Sequence, residues 1–157
     1  STLVDGSDEA GVALGTIYRY FSSKDHLLVA GMVEWMSALE RTVAAKPPRG
    51  DDEAARVLDV LSRALRTMER APQQAAAVVR AQTSDDGAAV RATREVTAIM
   101  ERLMEAAMDP DTDPEQARDV IRVLAHVWFS ALVSWTAGVG DLAWVRSEVE
   151  TAARLVL

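Results

Sequence analysis

The sequence of 157 residues contains no cysteine, which excludes disulfides and thiolate metal sites and is consistent with a reducing compartment. It also has no apolar run of membrane-spanning length, since the longest, near residues 127–133, is far too short. The first residues, STLVDGSDEA, lack the apolar core of a signal peptide. These absences predict a soluble, cytoplasmic protein without a membrane partner.

Residues arranged for catalysis or metal binding are also missing. The two histidines, His26 and His126, have no second ligand at metal-binding spacing on the same helix. His26 is expected at the surface near a DNA-binding end, and His126 in the core or an interface. No nucleophile–base pair, phosphate loop or buried carboxylate pair is evident. The sequence therefore predicts no enzyme, no catalytic residue, no metal and no cofactor.

Hydrophobic residues are plentiful at 49 %, enough for one substantial core and too many for a disordered chain. The formal net charge of −7 argues against nucleic-acid binding over most of the surface. Residues 12–24 differ, because they contain Arg19 and Lys24 and no acidic residue. Any DNA-binding surface is therefore expected in that segment.

Breaks rich in proline, glycine and aspartate divide the chain into segments with helical apolar spacing, and no segment alternates like a strand. The predicted fold is all-α. Aspartates beside these breaks are expected to cap helices rather than bind cations. The predicted helices run from Lys24 to about Ala45, from Asp51 or Asp52, from Pro72, from about Ala88, from Asp113–Pro114 and from Asp141.

The segment from Val120 to Val139 is apolar on two faces, so it needs two partners. One face contains Val120 and Leu124, and the other contains Ile121 and Trp128. One of the two faces is expected to pack within the chain and the other on a second copy, with the last helix beside it in a four-helix dimer interface. The alternative is a central helix covered by its own chain.

Residues 9–28, EAGVALGTIYRYFSSKDHLL, place three aromatic residues and an arginine within four positions. Gly11 suits the turn of a helix-turn-helix, and Ile17 and Phe21, four residues apart, form the inward face of a short helix. The outward side chains can contact phosphates and bases in a major groove. Ser23 can cap the next helix beside Lys24. The outward residues are Thr16, Tyr18, Arg19 and Tyr20.

The stretch GTIYRYFSSKDHLL resembles the recognition-helix signature of the TetR family of transcriptional repressors, which it meets at nearly every fixed position from Gly15 to Leu27. The resemblance implies a helix-turn-helix part running into a long connecting helix (1–45), with a recognition helix at about 14–21. It implies a helical ligand-binding and dimerisation domain at 46–157. It also implies a homodimer, formed through the two C-terminal helices, that binds a pseudo-palindromic operator and releases it when a small molecule binds. The implied DNA contacts are Thr16, Tyr18, Tyr20 and Lys24, with Arg19 as an addition.

The chain departs from the family pattern in the region of the signature. Leu14 stands where many members have a polar base-reading residue, and Ala13 stands where a Ser or Thr cap is common. The family also has a full helix and most of a second before the signature, which STLVDGSDEA does not match. Either the chain is shortened, or upstream residues that are disordered without DNA are left out; the second explanation is preferred.

The span RVLAHVWFSALVSW, residues 122–135, is similar to repressors of sterol catabolism within the family, together with VALGTIYRYFSSKDHLLV. That similarity implies an apolar effector, a steroid acid or its coenzyme A thioester. Methionines and tryptophans on the inward stripes can line a large apolar cavity, or they can simply be core. The candidate ligand-binding residues are Met32, Trp35, Met36, Leu65, Met68, Val79, Met100, Leu103, Met104 and Trp128.

The function predicted from the sequence is a ligand-responsive DNA-binding repressor. Three alternatives stay open: a helical protein-interaction module that no longer binds DNA, a TetR-type regulator of drug efflux, and a helical enzyme acting on an acyl or sterol substrate. Salt-dependent binding to a palindromic duplex separates the repressor from the interaction module. Turnover of a bound ligand is the observation that an enzyme requires.

Overall fold

A computed structural model describes residues 19–157, which form six α-helices and no strand. The predicted all-α fold is confirmed for this part of the chain. Within the same residues, none of the helices combines the length and apolar character needed to cross a bilayer. The helices are α1 (Lys24–Ala45), α2 (Glu53–Arg70), α3 (Pro72–Ala81), α4 (Gly87–Glu105), α5 (Pro114–Thr136) and α6 (Leu142–Val156).

Five of the six helices begin at a polar side chain that caps the first turn. In each case the side-chain oxygen accepts a hydrogen bond from the backbone N–H three residues later, which otherwise has no partner in the helix. Helix α3 instead begins with Pro72, which has no N–H to satisfy. The sequence-based prediction that the aspartates beside the breaks are caps is confirmed for four of them. The capping residues are Ser23, Asp52, Asp86, Asp113 and Asp141.

One continuous apolar core runs through all six helices. Helix α1 packs mainly against α4 and α3, α2 packs mainly against α6, and α5 packs against α3, α4 and α6. Each large side chain enclosed in this way contributes about 1.5–3 kcal/mol through removal of apolar surface from water. The largest fully buried side chains are Met36, Leu61, Leu103, Met104, Leu124 and Leu132.

Helix α5 corrects one sequence-based prediction. One of its two apolar faces was expected to pack on a second copy, but Leu124 on one face and Ile121 and Trp128 on the other are all buried within the chain. The reason is that α5 packs against three helices of its own chain, α3, α4 and α6, which together cover both faces. The side of α5 left exposed is a different one, and it contains Val123, His126 and Ser130.

Candidate nucleic-acid interface

The residues predicted to contact DNA fall partly within the described part of the chain. Arg19 and Tyr20 are helical and exposed, and 75 % of the Tyr20 surface is accessible. A tyrosine ring this exposed contacts little of its own chain and is accessible to a molecule outside it. The predictions for Thr16 and Tyr18 lie outside the described residues.

Lys24 is the first residue of α1 and is exposed. Ser23 caps this helix by accepting a hydrogen bond of 3.0 Å from the N–H of His26. The first-turn N–H groups and the Lys24 ammonium group therefore meet at one end of α1, an arrangement that favours a phosphate oxygen. Asp25 in the same turn carries the opposite charge and therefore reduces the attraction of this helix end for a phosphate.

His26 lies at the bend between α1 and residues 19–21, the end of the predicted recognition helix, which we name the recognition segment. Its Nδ1 accepts a hydrogen bond of 3.2 Å from the backbone N–H of Ser22, so the ring proton lies on Nε2. Its ring meets Phe21 edge-on, with centroids 5.1 Å apart. The expected surface histidine is thus half-buried and structural. His126, expected in the core or an interface, is exposed on the single chain, which rules out the core.

The same bend is tied to the helical body by a group that we name the junction, which consists of Ser22, Ser23 and Asp86. The hydroxyls of Ser22 and Ser23 donate to Oδ2 of Asp86 over 2.7 Å and 3.2 Å. That carboxylate also accepts from the N–H of Ala89 and so caps α4. The Ser22 hydrogen bond, followed by the Ala89 one, holds the pKa of Asp86 below its ordinary value. The sequence identified Asp86 as a cap but not its partners.

We expect Asp86→Ala to increase amide hydrogen exchange in residues 22–27 more than in the core helices, because the substitution removes the acceptor shared by both serines. The Asp86 pKa is lowered on folding, so its stabilising contribution is complete above the ordinary pKa of 3.8 and is lost as pH falls through the lower folded value. Mass-spectrometric exchange at neutral pH is the measurement. Asp85→Ala is the control, and equal exchange in the two variants contradicts the junction.

A second link joins α1 to α4 near their other ends. Arg102 donates to both carboxylate oxygens of Glu40, over 2.8 Å and 3.2 Å, and lowers the Glu40 pKa. Both side chains are partly exposed, so the solvent screens the pair and it contributes little to stability. With the junction, the pair joins α1 to α4 at two separate places along the two helices.

The ten predicted ligand-binding residues are brought together, since all contact one core cluster. Eight of them are buried, with 6 % exposure or less, and only Met32 and Trp35 are half-buried. The set therefore forms a contiguous apolar region contributed by α1 to α5. Whether it opens around a ligand stays a prediction.

Two family models match this chain, one in each of its parts. Residues 50–156 match the model described as "Tetracyclin repressor-like, C-terminal domain". Residues 7–30, which contain the signature, match "Bacterial regulatory proteins, tetR family".

Individual proteins are similar over almost the whole chain. The "HTH-type transcriptional repressor KstR" of Rhodococcus jostii (strain RHA1) is 35% identical over 152 residues, which are 96% of this chain and 70% of that protein. The protein of the same name from Mycobacterium tuberculosis (strain ATCC 25618 / H37Rv) is 28% identical, covering 96% of this chain and 69% of its own. The crystal structure of a TetR transcriptional regulator from Rhodococcus sp. RHA1 has a TM-score of 0.81 at 28% identity, covering 99% and 83%.

Proposed function

The chain belongs to the TetR family of bacterial transcriptional regulators, and we propose that it is a cytoplasmic repressor that binds a pseudo-palindromic operator as a homodimer and releases it when an apolar effector binds. Both curated relatives compared with it are named as repressors, which is not an enzymatic role. The observation that carries the proposal is the signature from Gly15 to Leu27, within which Arg19 and Tyr20, just before α1, and Lys24, its first residue, are exposed.

DNA binding is supported by the local balance of charge. The chain as a whole is acidic, with a net charge of −7, so most of its surface repels phosphates. Residues 12–24 are free of acids, which makes this the segment that can approach a duplex. In the proposed complex Thr16, Tyr18, Arg19 and Tyr20 face the major groove, and Lys24 contacts the backbone.

The proposed division of the chain follows from these contacts. Residues 1–45 contain the helix-turn-helix part and the connecting helix α1, and residues 46–157 contain the ligand-binding and dimerisation domain. The junction and the Glu40–Arg102 pair join the two parts, so a change in the position of α4 is passed to α1 and then to the recognition segment. Allosteric release requires such a physical connection between two discrete arrangements.

The proposed dimer interface uses the uncovered sides of α5 and α6. Val123 and Leu155 are large apolar residues with 42% and 81% of their surface exposed. They lie on two helices that pack side by side, so a two-fold copy of the pair gives a four-helix interface. His126, exposed on one chain, falls within this interface.

The proposed effector is apolar, of the steroid acid or acyl-coenzyme A thioester class, and is held by the buried methionine-rich region. Methionine side chains are flexible and adapt to irregular apolar shapes, so this core can repack around a ligand. The sterol class is supported by the similarity of residues 122–135 to sterol-catabolism repressors. A thermal-shift screen against sterols, steroid acids, thioesters and cationic drugs tests it, because a binder raises the melting temperature by mass action. Stabilisation by cationic drugs alone contradicts the sterol class.

We expect Tyr20→Ala to weaken binding to a palindromic operator by about 1–3 kcal/mol without unfolding the protein, because the side chain contacts little of its own chain. Fluorescence anisotropy at several salt concentrations is the measurement. Tyr20→Phe keeps the ring and separates loss of the hydroxyl from loss of the ring. Wild-type affinity in Tyr20→Ala contradicts the proposed recognition surface, and a chain that shows no salt-dependent operator binding contradicts the function.

A further inference from the structure

A cleft of about 500 Å³ lies between the C-terminal half of α1 and α2. Its charge is opposite to that of the whole chain, which carries 24 acidic and 17 basic side chains. Five cationic side chains and one carboxylate line it, and we name it the basic cleft. The charged lining residues are Lys46, Arg49, Arg63, Arg66, Arg70 and Asp59.

Asp59 and Arg63 build one wall of the basic cleft. They form an ion pair of 2.8 Å, and Asp59 also accepts from the backbone N–H of Arg49 over 3.1 Å. Arg63 donates further to the carbonyls of Lys46 and Pro47, over 2.7 Å and 3.1 Å. These bonds fix the segment that follows α1 against α2. The carboxylate is therefore engaged by the wall and does not neutralise the other cations.

The remaining four cations have no carboxylate partner among residues 19–157. Every ion pair recorded in that part of the chain involves other side chains, apart from Arg63–Asp59. Arg63, Arg66 and Arg70 are spaced three and four residues apart, so they share one face of α2. Like charges gathered in a cleft repel one another and focus a field that attracts an anion.

The basic cleft also has an aromatic and an apolar surface. Trp35 and Leu39 line it from α1, beside the four unpaired cations. The indole ring of Trp35 is half-buried, so one part of it is available to a ligand. An aromatic ring beside guanidinium groups suits a ligand that joins a flat ring to phosphates, since guanidinium binds phosphate oxygens in a bidentate manner and a flat ring stacks on indole.

Operator DNA does not reach this cleft in the proposed complex. Lys46 follows Lys24 by 22 residues along α1, which at 1.5 Å per residue places it about 33 Å from the DNA-binding end. If the cluster binds an anion, that anion is therefore smaller than DNA and separate from it.

We propose that the basic cleft binds an organic anion that carries two or more phosphates on an aromatic ring system, the chemistry of a nucleoside diphosphate. Guanidinium groups of Arg66 and Arg70 on α2 hold the phosphates, Lys46 and Arg49 neutralise them from the segment that follows α1, and Trp35 contacts the ring. The anion can be a free nucleotide or the nucleotide end of a larger conjugate. Only the second source rests on the proposed thioester effector.

Isothermal titration of the whole protein, in the absence of DNA, tests the proposal with ADP, pyrophosphate, adenosine and coenzyme A as probes. We expect saturable binding of ADP, with one site per chain, and at least tenfold weaker binding by adenosine or pyrophosphate. Tighter binding of coenzyme A than of ADP identifies the larger conjugate as the source. Tighter binding of ADP than of coenzyme A identifies the free nucleotide as the source.

The double variant Arg66→Ala/Arg70→Ala is expected to weaken ADP binding at least tenfold. The matched control, Arg91→Ala/Arg94→Ala, removes two exposed arginines from α4 and is expected to change it less than twofold. The proposal is overturned if both double variants lose ADP binding equally. It is also overturned if wild-type protein that melts cooperatively shows no saturable binding of ADP or coenzyme A. If pyrophosphate binds as tightly as ADP, the proposed contact between Trp35 and the ring of the ligand is wrong. Since no DNA is present, failure here is distinguishable from failure of operator binding.

Discussion

Met104→Ala is expected to lower the free energy of unfolding by about 2–5 kcal/mol, the largest stability effect we anticipate among the proposed ligand-binding residues. The Met104 side chain is fully enclosed, so its removal leaves a cavity that the surrounding helices can fill only in part. Urea denaturation followed by circular dichroism is the measurement. Variants must be compared at one protein concentration, because the stability of a dimer depends on it.

Met108→Ala is the matched control, since this methionine is only half-buried at the edge of the same core. A clearly smaller loss is expected there. If Met104→Ala lowers the free energy of unfolding no more than Met108→Ala does, then Met104 already borders open space in solution. That result contradicts a closely packed ligand-free core and favours a permanently open pocket.

Val123→Glu is expected to weaken the dimer by roughly a hundredfold or more, because it places an unpaired carboxylate from each chain in the proposed interface. Val123 is exposed on the single chain, so the substitution is not expected to unfold the monomer. Operator affinity is expected to fall as well, because a helix-turn-helix dimer binds two half-sites at once. Analytical ultracentrifugation over a range of concentrations gives the dissociation constant.

Val139→Glu provides the control for added charge. Val139 is another exposed valine, but it lies in the turn between α5 and α6, away from the side of α5 that holds His126 and Ser130. It is expected to leave the dimer intact. If both variants remain dimeric, the chains associate through a different surface and the proposed four-helix interface is wrong.

The helices were largely predictable from the sequence, because the signals that start them are local. Ser23 precedes α1, and Asp113 with Pro114 precedes α5, as the capping pattern indicates. Capping bonds span three residues, so a short window of sequence contains all the information needed. The family was predictable for a similar reason, since its signature is a single continuous stretch from Gly15 to Leu27.

Contacts between distant segments were not predictable in the same way. Ser22 and Asp86 are 64 residues apart, and nothing in either local sequence specifies the other as a partner. The basic cleft was not predictable either, because Lys46 and Arg66 belong to different segments whose relative rotation is set by the core. Helix periodicity identified two apolar faces on α5 but could not say whether neighbours of the same chain cover both.

The sequence by itself determined that this protein is all-helical, where its helices begin and to which family of regulators it belongs. These properties depend on caps, spacing and a short signature, which act over a few residues. Only the tertiary structure decided that Trp128 faces its own chain, that Asp86 joins the recognition segment to the body, and that cations gather between α1 and α2. The physical reason is that burial and charge pairing depend on which helices become neighbours, and that choice is made by packing of the whole core.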